Sequence, residues 1–147
     1  MKTTIEPRFV LGHKVCLIHT PGDFDMALVH TMPNVKGPPP HYHNHLAELF
    51  YAVKGQLEVM VEGEWHTLSQ GDSLVVPSGK VHTFRNSGPE EAEWLTTWSP
   101  KGFGRFFDAF GVPTSRKHAF EASTAPKLVE RFRQQAIDYD MIITQEE

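Results

Sequence analysis

A histidine-rich segment, joined by one further histidine later in the chain, is the part of the sequence best suited to chemistry. The segment GPPPHYHNHLAE places His41, His43 and His45 ahead of Glu48, and His82 follows in a separate segment. Two histidines at positions i and i+2 of an extended chain point to the same side, because strand side chains alternate. Imidazole nitrogens and a carboxylate oxygen that converge on one point would form a site for a divalent transition metal.

The turn before His82 decides which side of a sheet that histidine occupies. The segment GDSLVVPSGKVHTFRN contains a short apolar run that leads into this turn. Pro77 suits the second turn position because its ring fixes φ, and Gly79 suits the fourth. The chain then reverses into a strand that begins near His82, and the turn fixes the register of that strand.

These two segments resemble the two motifs of the cupin superfamily, G-x5-HxH-x3,4-E-x6-G and G-x5-P-x-G-x2-H-x3-N. The first motif matches from His41 to Gly55, but it departs at its leading glycine because only three residues separate Gly37 from His41. The second motif matches at every specified position: Gly71, Pro77, Gly79, His82 and Asn86.

An alternative alignment of the first motif uses His43 and His45 in place of His41 and His43. This alignment leaves the required five residues between Gly37 and the first histidine, but only two residues between the second histidine and Glu48, where the motif has three or four. His41 and His43 are therefore preferred. His45 then becomes a candidate pocket residue near the mouth of the site. The other interpretation of His45 is a histidine in a solvent-exposed loop.

The fold indicated by the sequence is all-β, with an antiparallel jelly-roll (cupin) β-barrel and C-terminal helices packed outside it. Short strands at close spacing run as far as Trp98, and no helical stretches alternate with them. The sheet should therefore be antiparallel and closed. The predicted strands are 14–18, 24–32, 48–53, 56–61, 65–68, 73–76, 82–86 and 93–98.

The chain after Pro100 is predicted to be helical. Four phenylalanines recur there at the spacing of one helix face. We expect this helix to pack on the outer surface of the barrel; the alternative is that it covers one mouth of the pocket. A second helix is predicted from about Pro126 with Thr124 as its cap, and residues 141–144 as an edge strand. The four phenylalanines are Phe103, Phe106, Phe107 and Phe110.

Composition narrows the classes of protein to consider. A length of 147 residues suits one domain, 1–147, with the barrel at about 10–99 and the helical segment at about 100–147. The net charge is −4 and there is no basic run, which argues against nucleic-acid binding. No apolar segment is long enough for a signal peptide or a membrane span. The single cysteine, Cys16, cannot form an intrachain disulfide, and a cytoplasmic location is expected.

Within the superfamily, the chain resembles the quercetin dioxygenase-like group in its HYHNHLAELFY and HTFRN segments and in its phenylalanine-rich helix. The resemblance implies one divalent metal held by His41, His43, Glu48 and His82, which binds an enol or hydroxyl oxygen of the substrate beside dioxygen. Without a thiolate ligand, Fe, Mn, Ni, Co and Zn all suit the site. Glu48 would be a ligand and also a general base for the substrate proton.

The expected substrate is a small enolic or aromatic molecule. By strand alternation Phe50 shares a face with Glu48, and Phe84 shares a face with His82, so the two rings would form an apolar wall.

Two other functions stay open. The same ligands could serve an isomerase, cyclase or lyase that polarises a carbonyl without oxygen, or the chain could be a non-catalytic small-ligand-binding cupin. The resemblance also implies a homodimer.

Overall fold

Strands dominate the chain as far as Ser99, and short helices follow. The computed structural model describes Lys2 and residues 5–144, so the outermost ends of the predicted 1–147 domain lie outside the described residues. The elements are β1 Arg8–Val10, β2 His13–Ile18, β3 Asp25–Thr31, β4 His41–Tyr42, β5 Ala47–Lys54, β6 Leu57–Val61, β7 Glu64–Leu68, β8 Ser73–Val76, β9 His82–Arg85, β10 Ala92–Ser99, α1 Gly104–Phe110, β11 Val112–Pro113, α2 Ala119–Ser123, α3 Pro126–Gln135, a 3-10 helix Ala136–Tyr139, and β12 Ile142–Ile143.

The strands form two antiparallel sheets. The larger has the order β11-β1-β2-β3-β10-β5-β8, and the smaller has the order β12-β4-β9-β6-β7. The predicted antiparallel all-β architecture is therefore confirmed. Closure into a barrel is not confirmed, because no pairing among the described strands joins the two sheets. The chain crosses between them at Gly55, whose φ is 74° and where a Cβ atom would lie 2.4 Å from the carbonyl oxygen of Glu91.

All eight predicted strands are present, with ends that differ by at most one residue. The tight turn between β6 and β7 has positive φ at both Glu62 and Gly63, as a two-residue hairpin requires. The sequence analysis missed β1, β4 and β11, which contain only two or three residues each. Runs of that length are too short for alternation to show. The predicted edge strand is confirmed as β12, which pairs with β4.

Apolar side chains from both sheets meet in one core. Phe50 and Trp94 enter it from the larger sheet, Leu57 and Val59 enter it from the smaller sheet, and all four are buried. The helical segment adds a second layer of rings, because Phe132 of α3 packs edge-on against the phenylalanines of α1. The core therefore holds the two sheets and the helices in fixed relation to each other.

The start of α3 differs from the prediction. Proline occupies the first turn of the helix as expected, but the residue that flanks it is Ala125, which makes no side-chain cap. The hydroxyl of Thr124 donates instead to the carbonyl of Glu121. The predicted cap was wrong because Thr124 closes α2, a helix that the sequence analysis did not predict. None of the described helices is long and apolar enough to cross a membrane.

Candidate metal centre

The structure gathers His41, His43, Glu48 and His82 into one buried cluster. One ligand atom from each lies within 4.8 Å of the others. His41 and His82 face each other across the β4–β9 pair, with ring centroids 4.4 Å apart. His43 follows β4 and Glu48 lies on β5, so both sheets contribute to the cluster. The structure therefore brings together the four side chains predicted to bind metal, and their role as ligands stays a prediction.

Backbone contacts explain how distant segments meet here. The amide of Gly79, in the turn before β9, donates to the carbonyl of His43 at 2.7 Å. Gly37 lets the proline-rich segment run against β9, because a Cβ atom there would lie 2.0 Å from the carbonyl oxygen of Phe84. The turn and the glycine thus hold the histidine segment against the strand that carries His82.

Hydrogen bonds to backbone carbonyls orient all three imidazoles. A carbonyl oxygen can only accept, so each Nδ1 carries the hydrogen and each neutral ring presents the lone pair of Nε2. Bonds of this kind fix the ring orientation of metal-binding histidines. They run from His41 to Pro39 at 2.9 Å, from His43 to Asp140 at 2.7 Å, and from His82 to Lys80 at 2.9 Å.

Glu48 divides its two oxygens between different partners. Oε1 lies 3.2 Å from Nε2 of His82 and 3.4 Å from Nε2 of His43, and Oε2 accepts a hydrogen bond from the Thr96 hydroxyl at 3.0 Å. A carboxylate oxygen and an imidazole lone pair repel at these distances unless a proton or a metal cation lies among them. The buried Nε2 of His43 has no hydrogen-bond partner in the described structure. The donor set therefore fits one divalent cation.

The pKa values of the cluster are shifted by burial and by the closeness of its members to each other. Burial lowers the pKa of His41 to about 3, and the charges of His82 and His43 lower it further. Burial acts to raise the pKa of Glu48, but without a metal the imidazoles of His43 and His82, when they carry a proton at Nε2, outweigh it and hold the pKa below the usual value. Burial acts to lower the pKa of His82, and Glu48 more than offsets this. The ionised carboxylate would stabilise a cation beside it.

The cluster borders a cavity between the sheets. The cavity has a volume of about 80 Å³. Phe50 and Phe84 line it, as predicted. His45 is exposed and is not one of the lining residues, because the chain leaves the strand after Tyr42 and alternation no longer applies.

Helix α1 and the residue before it lie over this cavity rather than only on an outer surface. Phe103, Phe106 and Phe107 line the cavity, and the ring centroids of Phe103 and His43 are 5.3 Å apart. The less favoured of the two predictions for this helix, a cover over one mouth of the pocket, therefore describes its position better. A wall of this kind limits the access of water to the cluster.

The sequence analysis missed two residues that contact the cluster. Strand alternation places Thr96 on the same face of β10 as Trp98, so this pattern could have identified Thr96 as a pocket residue. Asp140 gives no local signal, because it lies 97 residues from the His43 side chain whose hydrogen bond it accepts. Its left-handed φ of 58° ends the 3-10 helix and turns its carbonyl toward that ring.

A fourth buried histidine among the described residues is engaged elsewhere. Nδ1 of His13 lies 3.0 Å from the Thr31 hydroxyl, and its Nε2 lies 3.0 Å from the carbonyl oxygen of Lys36. The carbonyl must accept, so Nε2 carries the hydrogen and the Thr31 hydroxyl donates to Nδ1. Burial lowers the pKa of His13 to about 4, although the bond to Lys36 raises it. His13 is therefore a neutral wall residue of the cavity and not a further metal ligand.

Comparisons with known proteins match the middle of the chain. Residues 27–98 match the family model described as Cupin domain. Polyketide synthase CurC from Streptomyces cyaneus is 42% identical over 60 residues, which cover 41% of this chain and 39% of CurC. Quercetin 2,3-dioxygenase from Bacillus subtilis (strain 168) is 33% identical over 73 residues, 50% of this chain and 21% of the dioxygenase. The chain spans about half or less of the length of the curated relatives it matches.

A solved structure shows the same fold. KdgF from Halomonas sp. superposes with a TM-score of 0.56 at 28% identity, over 61% of this chain and 80% of KdgF. The matched regions do not account for the whole chain. Asp140 and α1 both lie outside the residues covered by the family model, although Asp140 contacts the cluster and α1 lines its cavity.

Proposed function

We propose that the chain, whose residues 27–98 match the family model described as Cupin domain, is a metal-dependent enzyme, a dioxygenase-like oxidoreductase that acts on a small enolic or aromatic substrate. One observation carries the proposal. Three imidazoles fixed by backbone carbonyls and one ionised carboxylate converge beside an aromatic cavity. A purely structural metal site would be closed by its ligands, whereas this cluster borders a space that a substrate could enter.

The proposed ligands are His41, His43, Glu48 and His82. Four protein ligands leave further positions free on an Fe, Mn, Ni or Co ion of higher coordination number, and on zinc if it expands its shell. When bound, such a metal supplies Lewis acidity to a substrate oxygen and, if redox-active, electron exchange with dioxygen. The absence of a cysteine ligand agrees with this group of metals.

The chain's own residues would bind the substrate and move its proton. Phe50 and Phe84 hold a flat ring against the cluster, and the phenylalanines at α1 exclude water from it. Glu48 accepts the proton of the substrate hydroxyl or enol. Thr96 keeps Oε2 of that carboxylate occupied, so Oε1 is the oxygen that faces the histidines.

The relatives support two reaction types. The quercetin 2,3-dioxygenase named above favours an oxygen-using reaction. The relative with 42% identity is named a polyketide synthase rather than an oxygenase, which favours a second candidate, a non-redox isomerase, cyclase or lyase. In that reaction the same site would polarise a substrate carbonyl, and Glu48 would again transfer the proton. A non-catalytic ligand-binding cupin is the third candidate.

Metal content tests the site directly. Wild type, His43→Ala and His82→Ala are purified without chelator, and the metal in each is measured by elemental analysis. We expect about one metal per wild-type chain and a loss of most of it in both variants, because each removes a ligand from a four-ligand site. His66→Ala on the exposed strand β7 and His45→Ala are matched controls that should keep the metal. Full metal content in both ligand variants would contradict the site.

Oxygen uptake separates the candidate reactions. Protein loaded with Fe(II) is mixed with enolic and phenolic compounds in an oxygen electrode, and Glu48→Gln is the control without a proton acceptor. Oxygen uptake that depends on substrate and on Glu48 would support the oxidoreductase. Undiminished turnover in an anaerobic chamber would support the non-redox candidate, and binding without turnover in either atmosphere would support the binding protein.

A further inference from the structure

Apart from the metal cluster, the wall of the cavity is almost entirely apolar. The surface that it turns toward the cavity consists overwhelmingly of apolar atoms, and among the described residues no lysine or arginine lines it. Outside the cluster, the lining side chains that carry a nitrogen or oxygen atom are His13, Trp94, Thr96 and Trp98. A ligand that reaches beyond the metal centre can therefore hydrogen-bond to a side chain of the wall only through one of these four.

His13 and Trp94 use their polar atoms within the protein. Trp94 donates its Nε1 hydrogen to the Thr31 hydroxyl at 3.1 Å. The same hydroxyl lies 3.0 Å from Nδ1 of His13, and Nε2 of His13 donates to the carbonyl of Lys36 at 3.0 Å. All three ring nitrogens are thus occupied, and neither ring has a polar hydrogen or a nitrogen lone pair left for a ligand.

Thr96 and Trp98 are closed to the cavity in a different way. Thr96 is 0% exposed, and its hydroxyl donates to the Glu48 carboxylate at 3.0 Å. The indole Nε1 of Trp98 has no hydrogen-bond partner in the described structure, but almost none of its surface is accessible, so it does not face the cavity. Trp98 contributes only the apolar part of its ring to the wall. Among the described residues, the cavity therefore offers no hydrogen-bonding side chain outside the proposed metal centre.

This wall penalises polar substituents on a ligand. A hydroxyl group placed against it loses its hydrogen bonds to water and gains none, which weakens binding by about 10-fold or more. A carboxylate or phosphate would be buried without a cation and near the negative charge of Glu48, at a larger cost. Alkyl groups and ring carbons gain from burial here. The volume of about 80 Å³ leaves room for one ring and not for several.

We propose that the ligand of this site is a one-ring molecule whose polar groups are confined to the oxygens at the metal centre, and whose remaining substituents are hydrogen or small alkyl groups. The inference rests on the proposed metal-dependent function and narrows its substrate class. Sugars, sugar phosphates and aromatic acids whose carboxylate lies away from the metal are excluded. Quercetin, the compound in the name of one relative, is excluded too, because it has several rings and several hydroxyl groups.

Three hydroxypyrones test this inference on the unchanged protein. Allomaltol, kojic acid and comenic acid share one ring and one pair of metal-binding oxygens. They differ at a single position, which carries a methyl, a hydroxymethyl and a carboxylate group respectively. Calorimetry measures the binding of each to nickel-loaded wild type. Their binding to nickel nitrilotriacetate is the reference, because that complex also leaves positions open on the metal but has no wall around it.

Relative to this reference, we expect kojic acid to bind the protein about 10-fold more weakly than allomaltol, and comenic acid about 100-fold more weakly. Metal-free His82→Ala should bind none of the three, because the shared oxygens need the metal. Equal relative affinities for allomaltol and kojic acid, binding of allomaltol to metal-free His82→Ala, or no binding of allomaltol to fully nickel-loaded wild type would overturn the inference and leave the metal site standing. A wild-type protein that takes up no divalent metal would overturn the proposed function, and the inference with it.

Discussion

Asp140 joins the C-terminal segment to the loop that carries His43, and its replacement makes the most informative prediction. Its carbonyl accepts the Nδ1 hydrogen of His43, and its carboxylate accepts the backbone amides of Asn44 at 2.8 Å and His45 at 2.9 Å. Asp140→Gly removes only the carboxylate, because glycine adopts the same φ of 58° without strain and keeps the carbonyl. The substitution therefore releases the loop without removing the bond that orients His43.

The expected size follows from these contacts. Each amide–carboxylate bond contributes about 1 kcal/mol at such an exposed position, so the pair contributes about 2 kcal/mol. If the loop loses its order in the metal-free protein, metal binding has to restore that order, and the affinity falls by up to about 30-fold. Asp140→Asn keeps one acceptor oxygen and should lose about 5-fold.

Competition with a chromogenic chelator for Zn(II) measures the affinity, and thermal unfolding of the metal-free proteins measures stability separately. Asp138→Asn is the matched control, because Asp138 is exposed on the preceding turn and loses the same charge. The reasoning is refuted if Asp140→Gly binds zinc as tightly as Asp138→Asn does. A lower melting temperature with unchanged zinc affinity would also refute it, because Asp140 would then support the fold without positioning His43.

Three further predictions concern other parts of the molecule. Thr96→Val should weaken zinc binding by about 10-fold, because it removes the hydroxyl bonded to the Glu48 carboxylate, while Thr96→Ser should stay near wild type in the same chelator competition. The folded pKa of His13, about 4, lies below its unfolded value of 6.5, so stability falls as the pH drops through that window. Between about pH 7 and about pH 5 the contribution of His13 to this loss is about 2 kcal/mol, so the loss measured by urea unfolding should be about 2 kcal/mol smaller in His13→Gln than in wild type. The proposed homodimer would use the outer face of the larger sheet, where Val75 is 58% exposed and Tyr51 is 38% exposed. Light scattering should then show a dimer for the wild type and a monomer for Val75→Lys. A wild-type monomer would contradict this prediction.

Local patterns predicted much of the fold and selected the four residues that the structure gathers into one buried cluster. Turn chemistry at Pro77 and Gly79 placed the start of β9 at His82, and alternation placed Phe50 on the face of Glu48. Both signals depend on neighbouring residues in the chain, so the sequence shows them directly. Closure of the sheet into a barrel depends on pairing between distant strands, and that part of the prediction is not confirmed.

The sequence by itself determined which side chains could form a metal site and that two separate segments must supply them. It left open whether His41 or His45 belongs with His43, because an unbroken strand would put all three on one face. The tertiary structure places His41 beside His43 in the buried cluster, because the chain leaves β4 after Tyr42 and exposes His45 to solvent. It also brought Asp140, Thr96 and α1 to the site, through contacts that no short stretch of sequence specifies. Packing between distant elements fixes such contacts, and a local pattern holds no information about them.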